Sequence, residues 1–157
     1  MTYFILVSEK EARVDSVFLA RGLADGNNHR KIYNASERMI YRIAIINPGQ
    51  HYNTSTGEYT CPVTGIYLFT YSVYGSRIKD GYAHSTVSAS LYREGTWIRL
   101  GYFSNENSED ISITLSHSDI VQCSEGDRVW VQSSHNNNQI YGHFVYNIFS
   151  GLLLYMT

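Results

Sequence analysis

"GEYTCPVTGIYLFTYSVYG", Gly57 to Gly75, crosses a Pro, a Cys and an interior glycine, yet otherwise reads as strand. Tyr67, Phe69 and Tyr71 recur at every second residue, as Tyr59, Cys61 and Val63 do before Gly65. Successive side chains of a strand point to opposite faces, so each trio forms one inward row. Large rings at that period fill the interior of an all-β domain.

The same period recurs outward from this stretch. Strands are expected at Ser16–Leu23, Arg38–Asn47, Ser85–Arg93, Thr96–Ser104, Asp110–Cys123, Asp127–Ser134 and Ile140–Met156. Short strands with frequent Gly, Pro and Asn punctuation predict a β-sandwich or jelly roll. Val87, Ala89 and Leu91 share an inward face, as do Ile111, Ile113 and Leu115, and Val129 and Val131 bracket Trp130. Helical periodicity is weak, and there is no solenoid repeat, heptad pattern or collagen triplet.

Three strands lack a polar side: "IAII" (Ile43–Ile46), "GIYLF" (Gly65–Phe69) and "GLLLYM" (Gly151–Met156). A sandwich strand in a monomer normally shows one face to water. Large exposed apolar patches are rare on monomers, so the second face is expected to meet another copy of the chain.

The totals narrow the function classes. A length of 157 residues suits one domain. The net charge of -2 and a single short basic run, "HRK" at His29–Lys31, argue against binding a nucleic-acid backbone. No stretch approaches the ~18 apolar residues of a membrane span, so no membrane insertion is expected. The apolar run Tyr3–Val7 is shorter than the ~7–15 residues of an export signal's core. If the chain is exported, its signal lies upstream of Met1 or its route is another. Fourteen tyrosines suit strands with wet contact surfaces. Cys61 and Cys123 both fall on alternating apolar strands, which favours buried thiols and leaves a single bridge open.

The spacing of aromatics resembles the globular head of the complement C1q and adiponectin family. That family's signature runs aromatic, five residues, Asn or Asp, four residues, aromatic, six residues, Phe, five residues, Gly-x-Tyr-x-Phe-x-aromatic. Here Tyr41, Asn47, Tyr52, Tyr59, Gly65, Tyr67, Phe69 and Tyr71 stand at those offsets. Tyr41 and Tyr59 replace the usual Phe. "SVFLARG", "EGDRVWVQ" (Glu125–Gln132) and "FSGLLLY" (Phe149–Tyr155) resemble further family segments, with Leu152 in a Phe place. The resemblance implies a ten-stranded jelly roll of the C1q and tumour-necrosis-factor type, assembled as a homotrimer. It divides the chain into an N-terminal extension, 1–14, and a C1q-type globular domain, 15–157. These residues carry none of the family's collagen triplets, so a stalkless member is expected. Stalkless secreted members, common in molluscs, are similar to sialic-acid-binding lectins of innate immunity. By that analogy a secreted, extracellular lectin is expected. The alternatives are a trimeric signalling or adhesive ligand that grips a protein receptor through side grooves, and a mainly structural, oligomerising head.

Alternating strand directions place the long polar connections Ser76–His84, Asn105–Glu109 and His135–Gln139 at one end. Loops on a rigid scaffold are where binding concentrates. Arg77 and Lys79 suit a carboxylate. Asn105, Asn136 and Asn138 offer amides to sugar hydroxyls, and Tyr82 and Tyr141 can stack on a sugar ring. Ordinary solvated loops have the same composition, and that reading stands beside the binding one. Three sites on one trimer gain avidity of ~10²–10⁴-fold. The resemblance also implies calcium near the trimer axis, with Glu109 and Asp110 as the acidic candidates, although no EF-hand spacing is present. No cofactor is otherwise required. The six histidines lack zinc spacing, and no nucleophile elbow or phosphate loop occurs, so no enzyme is expected. The sequons "NAS" at Asn34 and "NTS" at Asn53 are candidate glycosylation sites.

Overall fold

The computed structural model describes residues 15–23, 30–77, 85–105, 111–142 and 145–157. Twelve strands follow in chain order: β1 (Phe18–Leu23), β2 (Arg30–Tyr33), β3 (Tyr41–Ile46), β4 (Tyr52–Asn53), β5 (Glu58–Thr60), β6 (Gly65–Arg77), β7 (Ser85–Arg93), β8 (Thr96–Asn105), β9 (Ile111–Cys123), β10 (Arg128–Gln132), β11 (Asn138–Tyr141) and β12 (Ile148–Met156). The all-β jelly roll is as expected. The strand count exceeds ten because short pieces, such as β4 and β2, form separate ladders. The expected strand through Val63 stops at Thr60. Pro62 cannot donate to a ladder, and Val63 is only half-buried in a turn.

One layer runs β3-β1-β12-β6, with β9 on the far side of β6, and the other runs β7-β10-β5-β4, with β8 beside β7. The short strand β11 touches both, meeting β6 at Ile140↔Gly75 and β7 at Asn138↔Thr86. Long antiparallel ladders, Gly65↔Cys123 to Arg77↔Ile111 and Ser85↔Asn105 to Arg93↔Thr96, fix strand directions. They put the ends of β6, β8 and β10 and the starts of β7 and β9 at one pole.

The core is a stack of rings between the layers. Phe18 of β1 lies parallel to Tyr52 at 4.9 Å and to Tyr59 at 4.6 Å, and meets Phe149 edge-on at 4.9 Å. Tyr67 and Phe69 stack at 5.9 Å. Gly151 of β12 leaves the room these rings need: a methyl there would come within 2.6 Å of Phe69 and 2.7 Å of Phe18.

Every aromatic of the signature is buried, and each buried hydroxyl here has work to do. Buried polar groups must be hydrogen-bonded. The Tyr59 hydroxyl donates to the Ser16 carbonyl at 2.7 Å, and that of Tyr41 to the Ser72 carbonyl at 3.2 Å. These bonds let Tyr replace the usual Phe at both positions. The Tyr52 hydroxyl donates to the Tyr41 carbonyl (3.0 Å) and accepts from the Tyr41 amide (3.1 Å). Asn47 clamps the Tyr52 backbone through both ends of its amide, at 2.9 and 3.2 Å. The signature is therefore a scaffold device rather than a binding surface.

Cys61 and Cys123 are both buried and reduced. The hydrogen bond between them and burial push the Cys61 thiol up. The Tyr71 hydroxyl of β6 donates to the Ala89 carbonyl of β7 across the layers at 2.9 Å. Arg99 of β8 donates its Nε to Asp119 of β9 at 2.9 Å and ties the open side of the sandwich. The β7–β8 hairpin turns on Glu94 and Gly95, φ 45° and 80°. Two positive φ values are the geometry of a tight hairpin matched to strand twist.

Candidate functional site

Strands β6, β8 and β10 end at one pole, and only some of the candidate residues expected there lie within the described residues. The backbones of Arg77 and Asn105 end β6 and β8. Lys79, Tyr82, Glu109 and Asp110 lie outside the described residues. Among the described residues no cluster of His, Cys, Asp and Glu gathers as a metal site would.

Asn136 is exposed, with its Oδ1 accepting from the Ala35 amide at 2.9 Å. It pins the loop after β10 to the turn after β2, leaving its amide nitrogen for other partners. Asn138 is a correction. Its side chain is fully buried: Oδ1 accepts from the Ser88 amide at 3.0 Å, and Nδ2 donates to the Ser88 carbonyl and to Ser133 Oγ at 2.6 and 2.7 Å. An amide so engaged holds the loop onto β7 and has nothing left for a sugar. Tyr141 is half-buried and meets Tyr74 edge-on at 5.9 Å, while Tyr74 lies tilted against Tyr146 at 4.8 Å. Asn147 supports this aromatic group, accepting from the Tyr74 amide at 2.8 Å and donating to the Tyr141 carbonyl at 2.6 Å. Asn34 and Asn53 are both exposed at turns. Asn53 Oδ1 accepts from the Ser55 and Thr56 amides at 2.8 and 3.2 Å.

Two outward faces carry exposed apolar side chains. The first belongs to the β3-β1-β12-β6-β9 layer. Leu152, Leu68 and Ile120 stand directly opposite one another across three strands. Ile120 is 69% exposed, and Ile43, Ile45, Ile46, Val17 and Leu154 extend the aliphatic surface. The two-sided apolar strands of the sequence thus do leave a greasy wall uncovered.

The second face, on β8 and β7, was not anticipated. The ladder shifts between Leu91 and Tyr92: Leu91 opposes Arg99, but Tyr92 opposes Trp97. Ile98 is the extra residue, and it turns in to pack on the core. A bulge of this kind re-aims a side chain. Here it puts Trp97 on the outer face with Leu100 and Tyr102, opposite Ser90 and Ser88. Trp97 is 63% exposed. The loop after β10 closes the side of this face: the His135 ring lies tilted against Tyr102, 4.6 Å between centres, and Ser134 Oγ hydrogen-bonds Ser90 Oγ. Ser90, Tyr92, Trp97, Leu100, Ser134 and His135 enclose an open groove of about 210 Å³. Farther along, Trp130 lies beneath Arg38, 4.8 Å from ring to guanidinium, and Arg38 pairs with Glu58 at 3.0 Å.

The model of the C1q domain matches residues 23–154. The chain belongs to the C1q domain family. It is 32% identical over 114 residues to complement C1q tumor necrosis factor-related protein 2 of Mus musculus, a match covering 71% of this chain and 35% of that protein. To the hibernation-associated plasma protein HP-25 of Tamias sibiricus it is 27% identical over 120 residues, 74% of this chain and 50% of the relative. The chain thus spans between about a third and a half of the length of these curated relatives. Among solved structures, the globular domain of zebrafish complement 1qA superposes with a TM-score of 0.65 at 17% identity, covering 90% of this chain and 99% of that one. The fold of this C1q domain is also that of a tumour necrosis factor: Eiger from S. frugiperda superposes with a TM-score of 0.69 at 14% identity, with 90% and 93% coverage.

Proposed function

We propose that this C1q domain is a secreted homotrimeric recognition protein that binds carbohydrate, in the manner of a soluble innate-immune lectin. The observation that carries the reading is the aliphatic wall Leu152–Leu68–Ile120 with its neighbours. In a monomer it would face water. Buried against two further copies, it leaves the loop pole and the β7–β8 face of each chain free and repeated three times. Single sugar sites are weak, and repetition with a shared orientation multiplies their hold on a glycan-coated surface. Family membership supports an extracellular setting, since the relatives carry the names of a complement C1q/tumour-necrosis-factor-related protein and a plasma protein. Sialylated glycans are the proposed targets of the loop pole, with Arg77 and Lys79 as the sequence's candidates for pairing the sugar carboxylate.

A second reading is favoured by the likeness to Eiger: a trimeric signalling or adhesive ligand that grips a receptor between its subunits, burying ~1,200–2,000 Å². Sedimentation of the purified chain and a glycan array with a sialidase-treated control separate the two. A trimer that retains sialylated glycans supports the lectin reading. A trimer that binds no glycan at all points to the receptor ligand, and a dilute monomer overturns both.

A further inference from the structure

We propose that the groove on the outer face of β7 and β8 is a binding site for a neutral pyranose ring, separate from the loop pole and from the self-association wall. The inference rests on the carbohydrate reading above and names a ligand class and site within it.

The groove combines three properties. Its platform is the Trp97 ring, 63% exposed and set on this face by the bulge at Leu91/Tyr92. A large indole held open to water is an amphipathic contact surface, and its face suits the C–H side of a sugar ring. Its wall is hydroxylic: half-buried Ser134 hydrogen-bonds Ser90, which lies buried behind it, and the Ser134 oxygen keeps further capacity toward a ligand. Among the described residues, none that lines the groove is a carboxylate, Lys or Arg. The nearby Arg38 is occupied with Trp130 and Glu58. A carboxylated sugar would therefore find no counter-charge here, whereas a neutral polyol would lose nothing by its absence.

Size narrows the ligand further. About 210 Å³ falls below the ~300–1,000 Å³ of sites for drug-sized ligands. One ring fits, with the rest of a glycan running out over Leu100 and Tyr102. The His135 imidazole adds an adjustable edge. It leans against Tyr102 at a tilt, and its Nδ1 is buried without a hydrogen-bond partner. A ligand hydroxyl that draws this ring outward gives that nitrogen one. Because the groove lies on the layer opposite the aliphatic wall, self-association leaves it open.

The test uses the two tryptophans, Trp97 exposed and Trp130 buried. The intact chain is titrated with the methyl glycosides of glucose, galactose and N-acetylglucosamine, and with N-acetylneuraminic acid, while tryptophan emission is followed. Retention on beads bearing the same sugars is measured in parallel for the wild type, Trp97→Ala, Trp97→Phe and Arg77→Ala. At least one neutral glycoside should change the emission saturably, and the change should vanish in Trp97→Phe, where only Trp130 reports. Trp97→Ala should weaken bead retention about tenfold, Trp97→Phe by less, since a smaller ring remains. Trp97 is exposed, so neither variant should unfold, and circular dichroism checks this. Neutral-sugar retention unchanged in Trp97→Ala but lost in Arg77→Ala overturns the groove and leaves the lectin reading standing. Retention of no sugar by the wild type overturns both. Trp97 emission that shifts with protein concentration alone assigns the groove to a second copy and overturns the proposal.

Discussion

The two outward faces of this sandwich both expose apolar residues, and they do so in different chemistry. The wall on the β12-β6-β9 layer is aliphatic and continuous across strands, with Leu152, Leu68 and Ile120 in one row. The β7–β8 face is aromatic with a polar border: Trp97 and Tyr102 are exposed, Ser134 and His135 flank them half-buried, and Ser88 and Ser90 lie buried on β7. An unbroken aliphatic surface gains from water only by being covered completely, and a copy of itself covers it best. An aromatic surface with polar neighbours tolerates water and suits a ligand that comes and goes. On the function proposed above, the difference between the faces is a difference between a permanent and a reversible partner.

The comparison breaks most sharply at the wall. Charging its row with Ile120→Asp and Leu152→Asp should abolish self-association altogether, because a carboxylate buried between copies is left unpaired. Sedimentation should report a single chain, with strand content by circular dichroism retained. A trimer that survives both changes would mean that the wall is not the interface.

The largest stability effect should belong to neither face but to the ring stack between the layers. Phe18→Ala removes a side chain that contacts Tyr52, Tyr59, Phe69 and Phe149. It should cost ~3–5 kcal/mol in chemical denaturation. Next, alkali should attack the same stack. Burial pushes Tyr41, Tyr52, Tyr59 and Tyr71 well above the ordinary phenol range, and Tyr67 up to about 12. The folded values are raised, so the stabilisation is fully present below about pH 10, where unfolded tyrosines ionise, and falls as pH rises beyond it. Denaturation midpoints should drop above that pH, with ultraviolet phenolate absorbance appearing only as the chain unfolds. Phenolate appearing in the folded chain would contradict the buried stack.

On the β7–β8 side, Asn138→Ala should cost ~1–3 kcal/mol, because it strands the Ser88 amide and carbonyl. It should also loosen the His135 loop and weaken neutral-sugar retention, while sedimentation stays unchanged. The smallest effect belongs to Glu94. The Arg128 guanidinium and amide hold its carboxyl below the usual range. Its contribution is present above the unfolded carboxylate pKa and is lost as pH falls through the depressed folded value. Glu94→Gln should flatten the acid limb of the stability profile slightly and touch neither face.

Much of this molecule was readable from residue order. Tyr67, Phe69 and Tyr71 face inward as their spacing requires, and the apolar second faces of "IAII" and "GLLLYM" are exposed as their composition requires. The candidate site was legible only in part. Asn136 and Asn138 look alike in the sequence, yet one is exposed and the other buried. An amide's chemistry is the same toward a ligand and toward a neighbouring strand, so only the position of β7 distinguishes them.

Residue order by itself determined the alternation, and through it the core, the two-layer architecture and the uncovered wall, because period two is a local property of extended chain. Tertiary structure alone decided the β7–β8 face. Strict alternation would pair Ile98 with Leu100, and the shift opposite Tyr92 sets Trp97 there instead. A bulge is a mismatch in count between two strands, and no single strand records it.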